Sequence, residues 1–224
     1  MEKVINLGIP HIGEKIFKII DTPGLIECAL VSETWETLAH NVLLKRWKGR
    51  LIEACEHGYE VIVRLLLENL DHESTELNAR DRNGWTAFMT ACVHGHINVV
   101  QLILDHSLDR NIDLNARSKN GETAFMEACR SGRTDIVKLL LDHPERNIDL
   151  NARNNFGWTA FMYACSCGHK DVVQSLLEHS DPRIDLIGKD NNGRTALMIA
   201  SQRGHQDIAQ LIKMYSVKKM KYSV

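Results

Sequence analysis

The chain has 224 residues, 44% of them hydrophobic and 25% charged, with a formal net charge of −2. That balance is globular rather than disordered, and it lacks the basic surplus of a duplex-binding protein. Apolar runs stop far short of the about 20 residues that cross a bilayer as a helix, and MEKVINLGIP has no apolar leader core, so the expected location is the cytoplasm or the nucleus. Neither nucleic acid nor membrane is expected as a partner.

The first predicted elements lie in residues 9–47. Ile12, Ile16, Phe17, Ile19 and Ile20 suit one amphipathic helix, DTPG at 21–24 a turn, and Leu25 to Val31 a second short helix. Ser32 followed by Glu33 and Glu36 looks like the start of a third helix, ending near His40. Three short helices in some 40 residues make a poor independent core, so the segment needs a neighbour or a partner.

Behind it the chain repeats. DRNGWTAFMTACVHGHINVV begins at Asp81, SKNGETAFMEACRSGRTDIV at Ser118, NNFGWTAFMYACSCGHKDVV at Asn154 and DNNGRTALMIASQRGHQDIA at Asp190. A copy without the opening stretch begins at Arg50. Thr86, Thr123, Thr159 and Thr195 stand where a side-chain oxygen caps a helix start. Gly95, Gly132, Gly168 and Gly204 stand where a left-handed residue ends that helix. A second helix follows with Ile97, Val100, Ile103 and Leu104 and their equivalents at helical spacing. So small a unit cannot bury its apolar face alone, and stacked units can.

These motifs resemble ankyrin repeats over about residues 47–215, which implies an all-α fold: a solenoid of helix pairs joined by short hairpin loops. The expected units are a front segment 1–46, a truncated repeat 47–80, full repeats 81–117, 118–153 and 154–189, a last repeat 190–215 and a basic tail 216–224. The family's T-P-L-H is here T-A-F-M or T-A-L-M, so apolar packing must replace a proline and a hydrogen-bonding histidine. The period is a few residues longer than the family's, and the extra residues fall at Ser107–Ile112, Pro144–Ile148 and Ser180–Ile184, where they lengthen a loop.

The front segment resembles an F-box. Ile16–Phe17, Ile20, Leu25, Leu30–Val31 and Trp35 match that family's spacing without a gap, Leu43–Leu44 stands as the closing pair, and Ile9–Pro10 stands one residue too near for the opening pair. The resemblance implies docking on a Skp-type adaptor and through it on a cullin–RING ubiquitin ligase, with Pro10, Ile16, Ile20, Leu25, Leu30, Val31 and Trp35 at the adaptor interface. The alternative for these residues is packing inside the segment or on the first repeat. The ankyrin resemblance implies capture of a target protein by hairpin tips and first-helix ends. On this chain those are Arg82, Asn83, Trp85, His94, Lys119, Asn120, Glu122, Arg130, Asn155, Phe156, Trp158, Asn191, Asn192, Arg194 and Arg203. Each tryptophan either anchors a partner or folds down over its own turn.

Other chemistries find little support. Cys165-x-Cys167-x-His169 lacks the further convergent ligands a zinc site needs, so no metal and no cofactor is expected. Cys55, Cys92, Cys129 and Cys165 follow the repeat period and read as soft core packing, held too far apart for disulfides. His96, His169 and His205 recur at one structural position, and His106, His143 and His179 at another. No nucleophile–base pair or phosphate loop stands out, so the chain is not read as an enzyme. Two functions remain: a substrate receptor of a ubiquitin ligase, monomeric outside that complex, or an ankyrin scaffold or inhibitor whose front helices only cap the stack.

Overall fold

The computed structural model describes residues 21–24, 33–70, 75–107, 109–143, 147–179 and 184–221; the side chains at 33–38 and 217–221 lie outside that description. Helix α1 (Glu33–Trp47) precedes five helix pairs among these residues. They are α2 (Leu51–His57) with α3 (Glu60–Asn69), α4 (Ala87–His94) with α5 (Ile97–Ser107), and α6 (Ala124–Arg130) with α7 (Thr134–Leu141). The last two are α8 (Ala160–Cys167) with α9 (Lys170–Glu178), and α10 (Ala196–Gln202) with α11 (Gln206–Lys221). The described residues form no strand beyond an isolated bridge between Lys189 and Thr195.

First helices pack in one row, α2–α4–α6–α8–α10, and second helices in another, α1–α3–α5–α7–α9–α11. One core runs between the rows from Ala39 to Ile212. The four cysteines of the repeat column are buried and free, as their spacing predicts. Phe88, Phe125 and Phe161, with Met89, Met126 and Met162, fill the core where the family pattern has other residues.

The start of each first helix follows from its threonine. Thr86, Thr123, Thr159 and Thr195 Oγ1 accept from the amides of Met89, Met126, Met162 and Met198 at 3.3, 3.4, 3.3 and 3.3 Å. Each satisfies an amide the helix leaves orphaned. The helix ends are served from the next repeat. His96 Nε2 lies 2.9 Å from the Glu56 carbonyl, Arg133 Nε donates to Val93 O at 2.9 Å, and His169 and His205 Nε2 reach Arg130 O and Ser166 O at 2.8 and 3.1 Å. The imidazole column is therefore structural, and Arg133 takes the same role where histidine is missing.

The loops are laced from repeat to repeat as well. Asn78 and Asn115 Nδ2 donate to the carbonyls of Asn111 and Asn147, both at 2.9 Å. Those acceptor residues sit at φ 51, a left-handed conformation that asparagine tolerates better than most side chains. Asn78, Asn115 and Asn151 Oδ1 accept from the amides of Asp113, Asp149 and Asp185 at 2.7, 2.8 and 2.7 Å. Arg80, Arg117 and Arg153 donate to the carbonyls of Arg117, Arg153 and Lys189. The longer period thus adds loop without breaking the register.

Three expectations change. The third front helix does not end near His40 but runs to Trp47. Nothing in HNVLLKRW breaks a helix, and Ala39, Val42, Leu43 and Trp47 form a buried stripe on the side that meets α3. Ile97, expected in the buried stripe of its helix, is 41% exposed, because it is the first residue of α5 and the stripe begins at Val99. At DTPG, Thr22–Gly24 are helical, with Asp21 Oδ1 accepting from the Gly24 amide at 3.0 Å. The expected helices over 12–20 and Leu25–Val31 lie outside the described residues. So do Pro10, Ile16, Ile20, Leu25, Leu30 and Val31; Trp35 lies on α1 with its side chain undescribed.

Candidate protein-binding face

Each hairpin is built on its opening residue. Asp81 Oδ1 accepts from the amides of Asn83 and Trp85, both at 2.8 Å. Ser118 Oγ, Asn154 Oδ1 and Asp190 Oδ1 do the same for the residues two and four places on. Successive turns are joined by backbone bonds, Lys119 N to Asn83 O, Asn155 N to Asn120 O and Asn191 N to Phe156 O, at 2.9, 2.9 and 3.1 Å. The turns therefore form one rigid edge, and equivalent residues lie in rows along it.

The structure places the fifteen predicted target-binding residues in three settings. Arg82, Asn83, Lys119, Asn120, Asn155, Phe156, Asn191 and Asn192 are exposed on the turns, Phe156 at 61%. Two of these asparagines are tied down, since Asn155 and Asn191 Nδ2 donate to Lys119 O and Asn155 O, both at 3.0 Å. Trp85, Glu122, Trp158 and Arg194 form a half-buried row at the base of the turns. At the first-helix ends, His94 and Arg203 are exposed and Arg130 is half-buried. His94 Nδ1 lies 2.9 Å from Thr90 O, and its ring stacks on His96 with centroids 6.1 Å apart.

Beneath the row lies a polar cluster that the sequence reading did not single out. Glu127 and Tyr163 occupy the variable place in A-F-M-x-A-C, one helical turn past the capping threonine. Its signal was a polar residue inside an otherwise apolar run. Tyr163 Oη donates to Glu122 Oε1 across the repeat boundary at 3.1 Å, accepts from Asn154 Nδ2 at 2.9 Å, and its ring lies 5.1 Å from that of Trp158. Burial and then Glu122 raise the Tyr163 pKa. The Arg194 guanidinium lies 5.9 Å from the Trp158 ring and is held by Asp190, with Nε to Oδ2 at 2.8 Å.

Glu127 is the least ordinary group here. It is 1% exposed, and both bonds from Arg130, Nε at 3.0 Å and Nη2 at 2.5 Å, fall on Oε2, leaving Oε1 without a partner. Burial raises its pKa; the Arg130 bonds oppose this and Glu122 adds to it. Arg130 is thus engaged with a buried carboxylate and not simply presented to solvent. Exposed Cys167 is raised by partial burial, with Arg130 and Arg203 opposing, so nothing activates this thiol. Burial pushes Cys165 up to about 12.

Among the described residues no helix is long and apolar enough to cross a membrane, and no group of three or more His, Cys, Asp or Glu side chains could hold a metal ion. The face offers aromatic rings, guanidinium and amide groups on a fixed lattice, which is what a protein-recognition surface requires. A search among curated proteins returned no match. A family model described as ankyrin repeats (3 copies) matches residues 51–154 and 145–221. With most of the chain covered by that match and its helix pairs stacked in register, the protein belongs to the ankyrin-repeat family, whose members are generally non-catalytic scaffolds that bind other proteins.

Proposed function

We propose that this chain is a substrate receptor. Its hairpin and first-helix face captures a target protein, and its front segment docks a Skp-type adaptor that belongs to a cullin–RING ubiquitin ligase. The observation that carries the capture half is the Trp85–Glu122–Trp158–Arg194 row on a rigid edge, since Trp and Arg dominate interface energetics. The adaptor half rests on the in-register F-box resemblance from Ile16 to Trp35. A rigid joint between the two favours it: Trp47 is 3% exposed, meets Tyr59 edge-on at 5.5 Å and donates from Nε1 to Thr22 Oγ1 at 3.3 Å. Such a joint would hold a captured target at a fixed distance from the adaptor.

A second reading is a scaffold or inhibitor whose front helices only close the stack. The packing of α1 on α3, with Leu43 fully buried, favours it. Co-expression with the adaptor separates the two. Retention of the adaptor by wild type, and its loss with Leu30→Ala plus Val31→Ala at unchanged helicity, supports the receptor. A folded wild type that retains no adaptor leaves the scaffold.

A further inference from the structure

Trp85, Glu122 and Trp158 hold the same place on three consecutive hairpins, each directly after the turn glycine. The hairpins are joined turn to turn, so a carboxylate stands in the row with an indole on either side. Glu122 has only neutral partners: Ser118 Oγ donates to Oε2 at 2.8 Å and Tyr163 Oη to Oε1 at 3.1 Å. Neither bond neutralises its charge, and no ion pair is formed by it among the described residues. Below it Glu127 is 1% exposed, with one oxygen held by Arg130 and the other without a partner. The Arg130 guanidinium thus bonds Glu127 alone, and in this partly desolvated spot the two carboxylates act on each other more strongly than in water. The protein's own packing shows how cations meet its indoles: Arg194 lies 5.9 Å from the Trp158 ring and Arg50 4.6 Å from the Trp47 ring.

We infer that the Trp85–Glu122–Trp158 row takes a lysine or arginine side chain of the target protein, the cation meeting the Glu122 carboxylate between the two indole faces. The inference rests on the reading of this face as the capture surface and adds the charge of what it captures. Composition alone shows mixed signs along the turns, with Arg82, Lys119 and Arg194 beside Glu122. The structure sorts them: Arg194 is already paired with Asp190, Arg82 and Lys119 stand exposed at the turn tips, and the unneutralised carboxylate lies in the row with the aromatics. Cation–π attraction and charge then act on the same guest.

The test uses the full chain and its four tryptophan indole N–H resonances, assigned with single Trp→Phe variants. N-acetyl-arginine amide and N-acetyl-lysine amide are titrated in, with N-acetyl-citrulline amide as the neutral isostere and N-acetyl-glutamate amide as the opposite charge. Saturable shifts of Trp85 and Trp158 are expected with at least one cation, about fivefold tighter than with citrulline. Trp47, buried at the front joint, should not move. Glu122→Gln, which keeps an acceptor for Tyr163, should remove that preference. Equal binding of citrulline, stronger binding of glutamate, or an unchanged preference in Glu122→Gln would overturn the inference. A target that still depends on Trp158 while these probes fail would retire the cation and leave the capture surface standing.

Discussion

Tyr163 of one repeat donates its hydroxyl to the Glu122 carboxylate of the preceding one, Oη to Oε1 at 3.1 Å. This bond ties the base of one hairpin to the first helix of the next repeat. It also places the only tyrosine of the A-F-M-x-A-C column under Trp158. The binding row and the stack therefore share atoms, so variants of the row must be checked for stability as well as for binding.

Glu127→Gln gives the clearest electrostatic prediction. The Glu127 pKa is raised, first by burial, against the opposing bonds from Arg130. A raised folded-state value means that the folded chain holds this proton more tightly than the unfolded one. Its contribution to stability is fully present below the ordinary carboxylate range and is lost as pH rises through the raised value. At neutral pH the ionised side chain is a net cost, and glutamine removes that ionisation. Thermal melts should show Glu127→Gln at or above wild type at pH 7, with the difference shrinking towards pH 4. A large loss at pH 7 would show that the Arg130 pair outweighs burial.

The inter-repeat latch predicts unequal costs for equivalent glycines. Gly168 sits at φ +79 with the His205 ring where a Cβ would go, Cε1 only 2.5 Å away. Gly204, at φ +84, has nothing within 4 Å. Gly204→Ala should cost about 1 kcal/mol for the left-handed backbone alone. Gly168→Ala should cost more, because the imidazole must leave Ser166 O or the repeats must part. Adding His205→Ala should recover part of the excess. Denaturant midpoints of the three variants check this, and equal costs for both glycines would remove the latch from the account.

The front joint is tested by Trp47→Ala. Trp47 is nearly buried, meets Tyr59 edge-on and lies under the Arg50 guanidinium at 4.6 Å. Truncation should cost about 3–5 kcal/mol and should raise amide exchange in α1 and α3 before the central repeats. Hydrogen-exchange profiles decide it, and uniform change along the stack would contradict a local joint.

Much of this was legible because repetition amplifies weak signals. A single threonine before an apolar run is a modest cue, whereas four in phase fix four helix starts, and all four caps are formed. The histidine column read as structural for the same reason. What stayed hidden were contacts that depend on the neighbouring repeat. The carbonyl served by Arg133 in place of a histidine needs the stack to be seen. So does the bond from Tyr163 to Glu122, 41 residues apart. The length of α1 was missed because the third front helix was closed at His40, although Ala39, Leu43 and Trp47 continue one helical stripe. Glu127 was passed over as one variable letter in a motif, and only burial reveals that one of its oxygens is unmatched.

The most direct test of a two-surface receptor is affinity purification of three forms of the full chain from the same cells: wild type, Trp158→Ala, and Leu30→Ala with Val31→Ala. Each eluate is quantified for the adaptor and for any co-purifying target. Trp158→Ala should lower target recovery at least about tenfold, as loss of an interface anchor does, and leave the adaptor in place. The Leu30/Val31 variant should do the reverse. Loss of both partners in either variant with the fold intact, or retention of both in each, would contradict separate surfaces for target and adaptor.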